Sequence, residues 1–114
     1  MIEHTVTDFQ TNCEIQIKVG KDAYNNWSLI DESKQNDIWF HVEDHPSAHV
    51  VISVPPKSQI SKQTIIHAAS LCKLNSKLSN NNKVTIIYTQ IKNISKGKAI
   101  GSIVLKKKCK KIII

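Results

Sequence analysis

Arginine is absent from this sequence, although 16 basic residues against 9 acidic ones give a formal net charge of +7 and a pI near 9.4. Every fixed cation is therefore a lysine. Lysine is a compact point charge that holds a phosphate, whereas the planar fork that recognises a base edge or a carboxylate bidentately belongs to arginine. A basic chain of this size is drawn to phosphate-rich partners, and without arginine it suits backbone contact better than base reading. The abundance of Ile, Asn and Lys fits an AT-rich coding sequence, which makes the charge alone a weak signal.

Cysteine is scarce as well. Cys13, Cys72 and Cys109 are scattered, odd in number and form no CxxC pair, as expected of free thiols in a reducing compartment. No apolar run approaches the roughly 18 residues of a membrane span, and the first residues carry no basic and apolar leader. A cytoplasmic protein with no membrane partner is expected. Ser47 and Ser53 lack the glycine pattern of a nucleophile elbow.

What is present reads as one α+β domain over residues 1–114. Residues 2–6 form a short strand and 7–12 a polar loop. In 14–19, Ile15, Ile17 and Val19 alternate with polar residues, the mark of a half-buried strand. Gly20 then serves a turn of unusual φ. Asp22 caps a short helix over 23–30, with Tyr24, Trp27 and Leu29 or Ile30 facing inward. A strand at 50–54 stops at Pro55-Pro56. Ser58 or Ser61 opens a long helix reaching about Leu78, with Ile65, Ala68, Ala69, Leu71, Cys72 and Leu78 at helical spacing and Lys73 and Lys77 four apart. Residues 84–89 are a strand by composition and 91–99 a lysine-bearing loop. Residues 103–105 and 111–114 form a closing hairpin, whose lysines at 106–108 and 110 guard an edge. The expected fold is a single mostly antiparallel sheet of about six strands, with the long helix packed on one face and one short helix.

The densest chemistry lies in residues 36–50. Asp37, His41, His45 and His49 recur every four residues, which on a helix would resemble a metal site. Pro46 and the β-forming neighbours exclude that helix, so no metal or cofactor is expected. Folded as a hairpin with its loop at 43–47, the stretch pairs Val42 with Ala48 and His41 with His49. Ile38, Phe40, Val42, Ala48, Val50 and Ile52 then share an apolar face, and Asp37, Trp39, His41, His49, Val51 and Ser53 the other. The second face has two readings. It is a hydrogen-bonded brace for the loop, or a ligand-facing patch on which Trp39 and the imidazoles stack or bond to nucleic acid. An Asp/His pair could do acid–base work, but no nucleophile or oxyanion site accompanies it, so a non-enzymatic role is expected.

Asp37-Ile38-Trp39-Phe40-His41, followed by Ser47-Ala48-His49-Val50, resembles the signature of the NFACT-R domain, the RNA-binding domain of NFACT proteins, once a domain of unknown function (DUF814). The likeness extends through Val19-Gly20-Lys21, Asn26, Leu29, Ala68-Ala69, Ser76-Lys77, Val84, Tyr88-Thr89, Lys92-Asn93, Lys96 and Gly101, and within the family it favours the stand-alone, coiled-coil-domain-containing type. Family members act on stalled large ribosomal subunits and tRNA, so the resemblance implies RNA binding, with tRNA, rRNA or the ribosome as partner and DNA as the alternative polyanion. It marks Asp37, Trp39, His41, Ser47 and His49 as signature residues. Lys21, Lys73, Lys77, Lys92, Lys96 and Lys98 are the candidate phosphate contacts. These 114 residues hold no N-terminal NFACT module, helix–hairpin–helix or coiled coil, so functions that need those parts are not expected of them. The rival reading is a protein-interaction adaptor with an incidental basic surface. The oligomeric state is not legible.

Overall fold

The computed structural model describes all 114 residues. In chain order the elements are β1 (Ile2–Asp8), β2 (Cys13–Val19), α1 (Ala23–Glu32), β3 (Ile38–Val42), β4 (Val50–Ile52), α2 (Lys62–Leu74), β5 (Thr85–Gln90), a 3-10 turn (Ile91–Asn93), β6 (Ile94–Lys96), β7 (Ile103–Leu105) and β8 (Lys110–Ile113). Six strands form one sheet in the order β1-β2-β4-β3-β5-β8, and β6 pairs with β7 in a second, small one. Every pairing is antiparallel. The fold is α+β.

The β3–β4 hairpin sits at the centre of the large sheet. Its register sets Ile38 opposite Ile52, Trp39 opposite Val51 and Phe40 opposite Val50, in phase with the two-faced hairpin read from the sequence. Because side chains alternate across a strand, this register decides both cores. Phe40, Val42, Val50 and Ile52 join Ile15, Ile17 and Val19 of β2 and Ala68, Ala69, Leu71 and Cys72 of α2 in a cluster of 14 buried residues. Trp39 and Val51 point the other way and meet Leu29 of α1, Ile91 of the 3-10 turn and Ile94 of β6 in a second cluster of five. The sheet is thus covered on both faces.

Several expectations change. β1 runs on through Thr7 and Asp8, so the polar loop shrinks to a turn in which Asn12 takes a left-handed φ of 56°. Of the two candidate caps, Ser61 opens α2, its Oγ accepting from the Thr64 N–H. The helix ends at Leu74, where Asn75 Nδ2 donates to the Leu71 carbonyl, and Leu78 packs on the main core from a turn. At 13 residues against 10 in α1, it is not much the longer helix. Tyr24 lies outside, 70% exposed, and Asn26 and Leu29 are the buried residues of α1. Residues 91–96 of the expected loop form the 3-10 turn and β6, and only residues 97–99 remain in a turn. The closing hairpin does not form either. β7 pairs with β6, and β8 returns to the large sheet beside β5, where Ile112 and Ile114 pack on the main core. Gly20 answers a close approach rather than a special φ. A Cβ there would lie 2.4 Å from Asn26 Oδ1.

Asp8, invisible as a candidate in the sequence, ties the start of the sheet to α2. Its buried carboxylate accepts from the Ser61 N–H at 3.0 Å, the Thr64 hydroxyl at 2.6 Å and the Thr11 N–H at 2.8 Å. Burial alone would raise its pKa, but these bonds outweigh it and hold the carboxyl far below the usual carboxylate range. The stabilisation is therefore full above about pH 4 and is lost as pH falls below that. Asp8→Ala strands the donors it serves and should cost roughly 2–4 kcal/mol in urea unfolding. A loss under about 0.5 kcal/mol would contradict this account.

Candidate nucleic-acid interface

The signature residues are placed by β3, β4 and the hairpin tip between them. Asp37 is buried at the foot of β3, where its carboxylate accepts from the Lys34 and Val54 N–H groups at 2.8 and 2.9 Å and its carbonyl accepts from Ile91 N–H. Trp39 is 1% exposed and His49 2%. The indole Nε1–H donates to His49 Nδ1 at 3.1 Å. Since an indole can only donate, His49 Nδ1 must accept, and the neutral ring carries its proton on Nε2. His41 stacks on Trp39 with ring centroids 5.7 Å apart and meets His49 edge-on at 5.1 Å. Ser47 Oγ accepts from Val42 N–H, which closes the hairpin tip, and Ser47 also bridges to Ser76 beyond α2. Cys72, beneath this tip, is held up at about 11 by burial and stays a neutral thiol.

The arrangement corrects the picture of Trp39 as a stacking surface. Its ring lies under Leu29 and Ile94 and offers no face to a base. Asp37 and Trp39 act as the brace. The edge of the cluster is different. His41, Ser47 and His49 line an open groove of about 780 Å³ together with Lys21, Asp22 and Ala23 at the start of α1, Lys77 after α2, and the turn at 100–102. Gly101 makes this closure feasible. It takes a φ of +86°, and a Cβ there would sit 2.7 Å from Ala23 Cα.

The six candidate lysines separate into distinct environments. Lys21 and Lys77 are exposed and share the groove. Lys73 is half-buried and donates to the Ile114 carbonyl at 3.2 Å, so it does not pair with Lys77, which lies past the helix end. Lys96 bonds Asp31 at 2.6 Å and lies 5.2 Å above the Trp27 ring. Lys92 on the 3-10 turn and Lys98 in the β6–β7 turn are exposed and outside the groove. No cluster of three or more His, Cys, Asp or Glu side chains is placed to hold a metal ion, and no helix is long and apolar enough to cross a membrane.

Residues 5–107 match the family described as the NFACT protein RNA binding domain. The chain belongs to the NFACT-R family. It is 38% identical over 84 residues to coiled-coil domain-containing protein 25 of Danio rerio, covering 70% of this chain and 41% of that protein. It is 33% identical over 89 residues to the Rqc2 homolog RqcH of Bacillus subtilis, covering 77% of this chain and 15% of that one. The C-terminal region of the fibronectin/fibrinogen-binding protein from Streptococcus suis superposes over the whole NFACT-R chain with a TM-score of 0.83 at 25% identity, across 45% of its own length. The chain thus spans well under two thirds of each of these relatives.

Two residues of this NFACT-R site carry more than their sequence context suggests. Asn26 Oδ1 accepts from the His49 N–H at 3.2 Å, and Gly20 N–H donates to the His49 carbonyl at 2.9 Å, so α1 and the chain before it hold the histidine in place. For Asn26 the only sequence hint is the family resemblance, and Gly20 stands out otherwise only as a turn glycine. Burial, and to a lesser extent the neighbouring His41, lower His49 to about 3, and burial lowers His41 too. Above an ordinary value of about 6.5 both folded and unfolded states are neutral; below it the unfolded chain takes up the proton first. Stability should therefore fall by about 3 kcal/mol between pH 7 and pH 4 through His49. Denaturation at both pH values checks this, and the slope should flatten in His49→Gln.

Proposed function

We propose that this chain is an RNA-binding module that grips the phosphate backbone in the groove at the hairpin tip. The observation that carries the reading is the convergence of Lys21, Lys77 and two signature histidines on one groove. The two ammonium groups supply point charges for phosphate oxygens. The His49 Nε2–H, whose partner nitrogen is already engaged by Trp39, has no acceptor within the chain and is free to donate to a ligand. The start of α1 adds the positive end of a helix dipole, against a single carboxylate, Asp22, whose Oδ1 is occupied in capping Asn25 N–H at 2.8 Å. Lys98, in the same β6–β7 turn as Ile100, Gly101 and Ser102 of the groove wall, extends the positive surface beside it, whereas Lys92 is held beside Gln35 at the opposite end of β3. The buried brace behind it fixes the His49 donor in position, so that contact requires little ordering, while the exposed lysines order on binding.

The family's description as an RNA-binding domain and the likeness to RqcH favour RNA over DNA. The resemblance to ribosome-associated quality control factors makes tRNA or ribosomal RNA the natural ligand and the ribosome the natural setting. Point-charge contacts predict binding that follows the backbone rather than the sequence.

Binding to a structured RNA such as tRNA should weaken with salt, by about 0.7–0.9 log units in affinity per phosphate contact for each log unit of salt. Lys21→Glu combined with Lys77→Glu should reduce affinity at least about tenfold and lower that slope by about two contacts, with the melting temperature unchanged because both residues are exposed. Salt-independent binding, no binding at low salt, or partners retained from nuclease-treated lysate without any RNA affinity would replace this reading with that of a protein adaptor.

A further inference from the structure

A second groove, of about 690 Å³, opens at the other end of β3, where Ile38 rather than His41 lines the wall. Four lysines line it, Lys34, Lys57, Lys108 and Lys110, and no carboxylate does. None of the four belongs to the ion pairs of the chain, which engage Lys18, Lys96 and Lys111. Its size falls within the roughly 300–1,000 Å³ of ligand-binding clefts. By local pattern the lysines at 106–108 and 110 only guard an edge, and Lys34 and Lys57 have no evident role.

Tyr88 supplies what the first groove lacks. It is partly exposed, lines this groove, and is stacked on buried Phe40 with centroids 5.3 Å apart and planes 18° from parallel. A ring backed by a second ring in the core is a fixed platform. In the β5–β8 register Tyr88 lies directly opposite Lys110, and such cross-strand partners share a face about 5 Å apart. Side-chain amides, among them Asn36 and Gln90, complete the wall; they can donate to and accept from a base edge or a 2′-hydroxyl. Lys57 adds a separate sign. It sits at a φ of +57° in a turn closed by Ser58 N–H to the Pro55 carbonyl, at the position where glycine or asparagine is usual. A lysine kept in that conformation is tolerated at a cost that glycine would remove.

We propose that this groove binds a single-stranded RNA segment, with a base stacked on Tyr88 and flanking phosphates held by Lys110 and Lys57. A duplex would keep its bases within its own stack and leave Tyr88 unused. The inference rests on the RNA-binding reading and names the form of RNA that this second groove takes.

The test is fluorescence anisotropy with a short labelled oligoadenylate and, for comparison, an RNA duplex of equal length. The native chain should favour the single strand. Tyr88→Leu should weaken it about tenfold, as expected for one lost stacking contact, while Tyr88→Phe, which keeps the ring, should not. Lys110→Gln should lower the salt slope by about 0.7. Lys57→Gly should lower the slope similarly and yet leave the melting temperature equal or higher, an outcome that a structural role for Lys57 would not give. Equal affinity for duplex and single strand, or Lys57→Gly and Lys110→Gln both matching the native slope, would overturn the single-strand groove while leaving the hairpin-tip site standing. A native chain that binds neither RNA overturns both.

Discussion

The buried bond from Trp39 Nε1–H to His49 Nδ1 is the interaction on which the site depends. An indole buried at 1% exposure needs an acceptor for its one polar atom, because an unpaired donor at that depth costs on the order of 1–3 kcal/mol. His49 is that acceptor only while neutral and only as the Nε2–H tautomer. Its backbone is in turn fixed by Asn26 Oδ1 and by Gly20 N–H, and Asn26 can reach it only because position 20 has no Cβ to occupy the space 2.4 Å from the amide oxygen. A chain of dependence thus runs from a glycine at the end of β2, through a buried amide on α1, to an imidazole at the hairpin tip and an indole in the sheet. Its members, Gly20, Asn26, Trp39 and His49, all lie in the residues that carry the family resemblance. Its conspicuous aromatic residue is the part that makes no approach to solvent, and its function is to fix the parts that do.

This explains how much was legible beforehand. The hairpin register was readable because one face of residues 38–52 is uniformly apolar, and a slip of one residue would turn Phe40, Val50 and Ile52 out of the core. Which face would be covered was not readable. The polar-aromatic face looked open because α1, the 3-10 turn and β6 reach it from far along the chain, and only Leu29, Ile91 and Ile94 arriving there bury Trp39. β8 was misassigned for a related reason. Residues 103–105 and 110–113 are both short β-forming runs near one another, and local pattern favours a hairpin, but Ile112 and Ile114 find the large core beside β5 while β7 has a nearer partner in β6. Asp8 left no trace at all. A lone aspartate in a polar stretch gives no sign that Ser61 and Thr64, more than fifty residues away, will bring their donors to it.

The lysines teach a parallel lesson about charge. Spacing joined Lys73 to Lys77, and a shared lysine-bearing stretch joined Lys92 to Lys96. The fold separates both pairs, by ending α2 before Lys77 and by folding Lys96 onto Asp31 and the Trp27 ring. A lysine already paired with a carboxylate or a chain carbonyl must give up that partner to meet a phosphate, and exposed pairs of that kind are worth little to stability in any case. Unpaired lysines gathered in a concave wall meet no such competition. By that criterion the unpaired positive charge collects at the two ends of β3, at Lys21 and Lys77 on one side and at Lys34, Lys57, Lys108 and Lys110 on the other.

The distance between those ends bears on what the absence of arginine means. Ile38 and His41 stand three residues apart on one strand, roughly 10 Å at the rise of a β-strand, but an odd separation turns their side chains to opposite faces of the sheet, so a backbone that reaches both grooves must cross from one face to the other. Lysines that each hold one phosphate contribute little alone, and each contact carries its own salt penalty. Two such sets carried on opposite faces of one rigid sheet would act together only on an RNA long enough to pass from one face to the other, the second set then meeting its phosphates at an effective concentration set by that path. Affinity would then come from the number and spacing of point charges rather than from any bidentate fork, and selectivity from the path that an RNA must follow to reach both ends of β3. A chain without arginine can in this way discriminate by shape where it cannot discriminate by base.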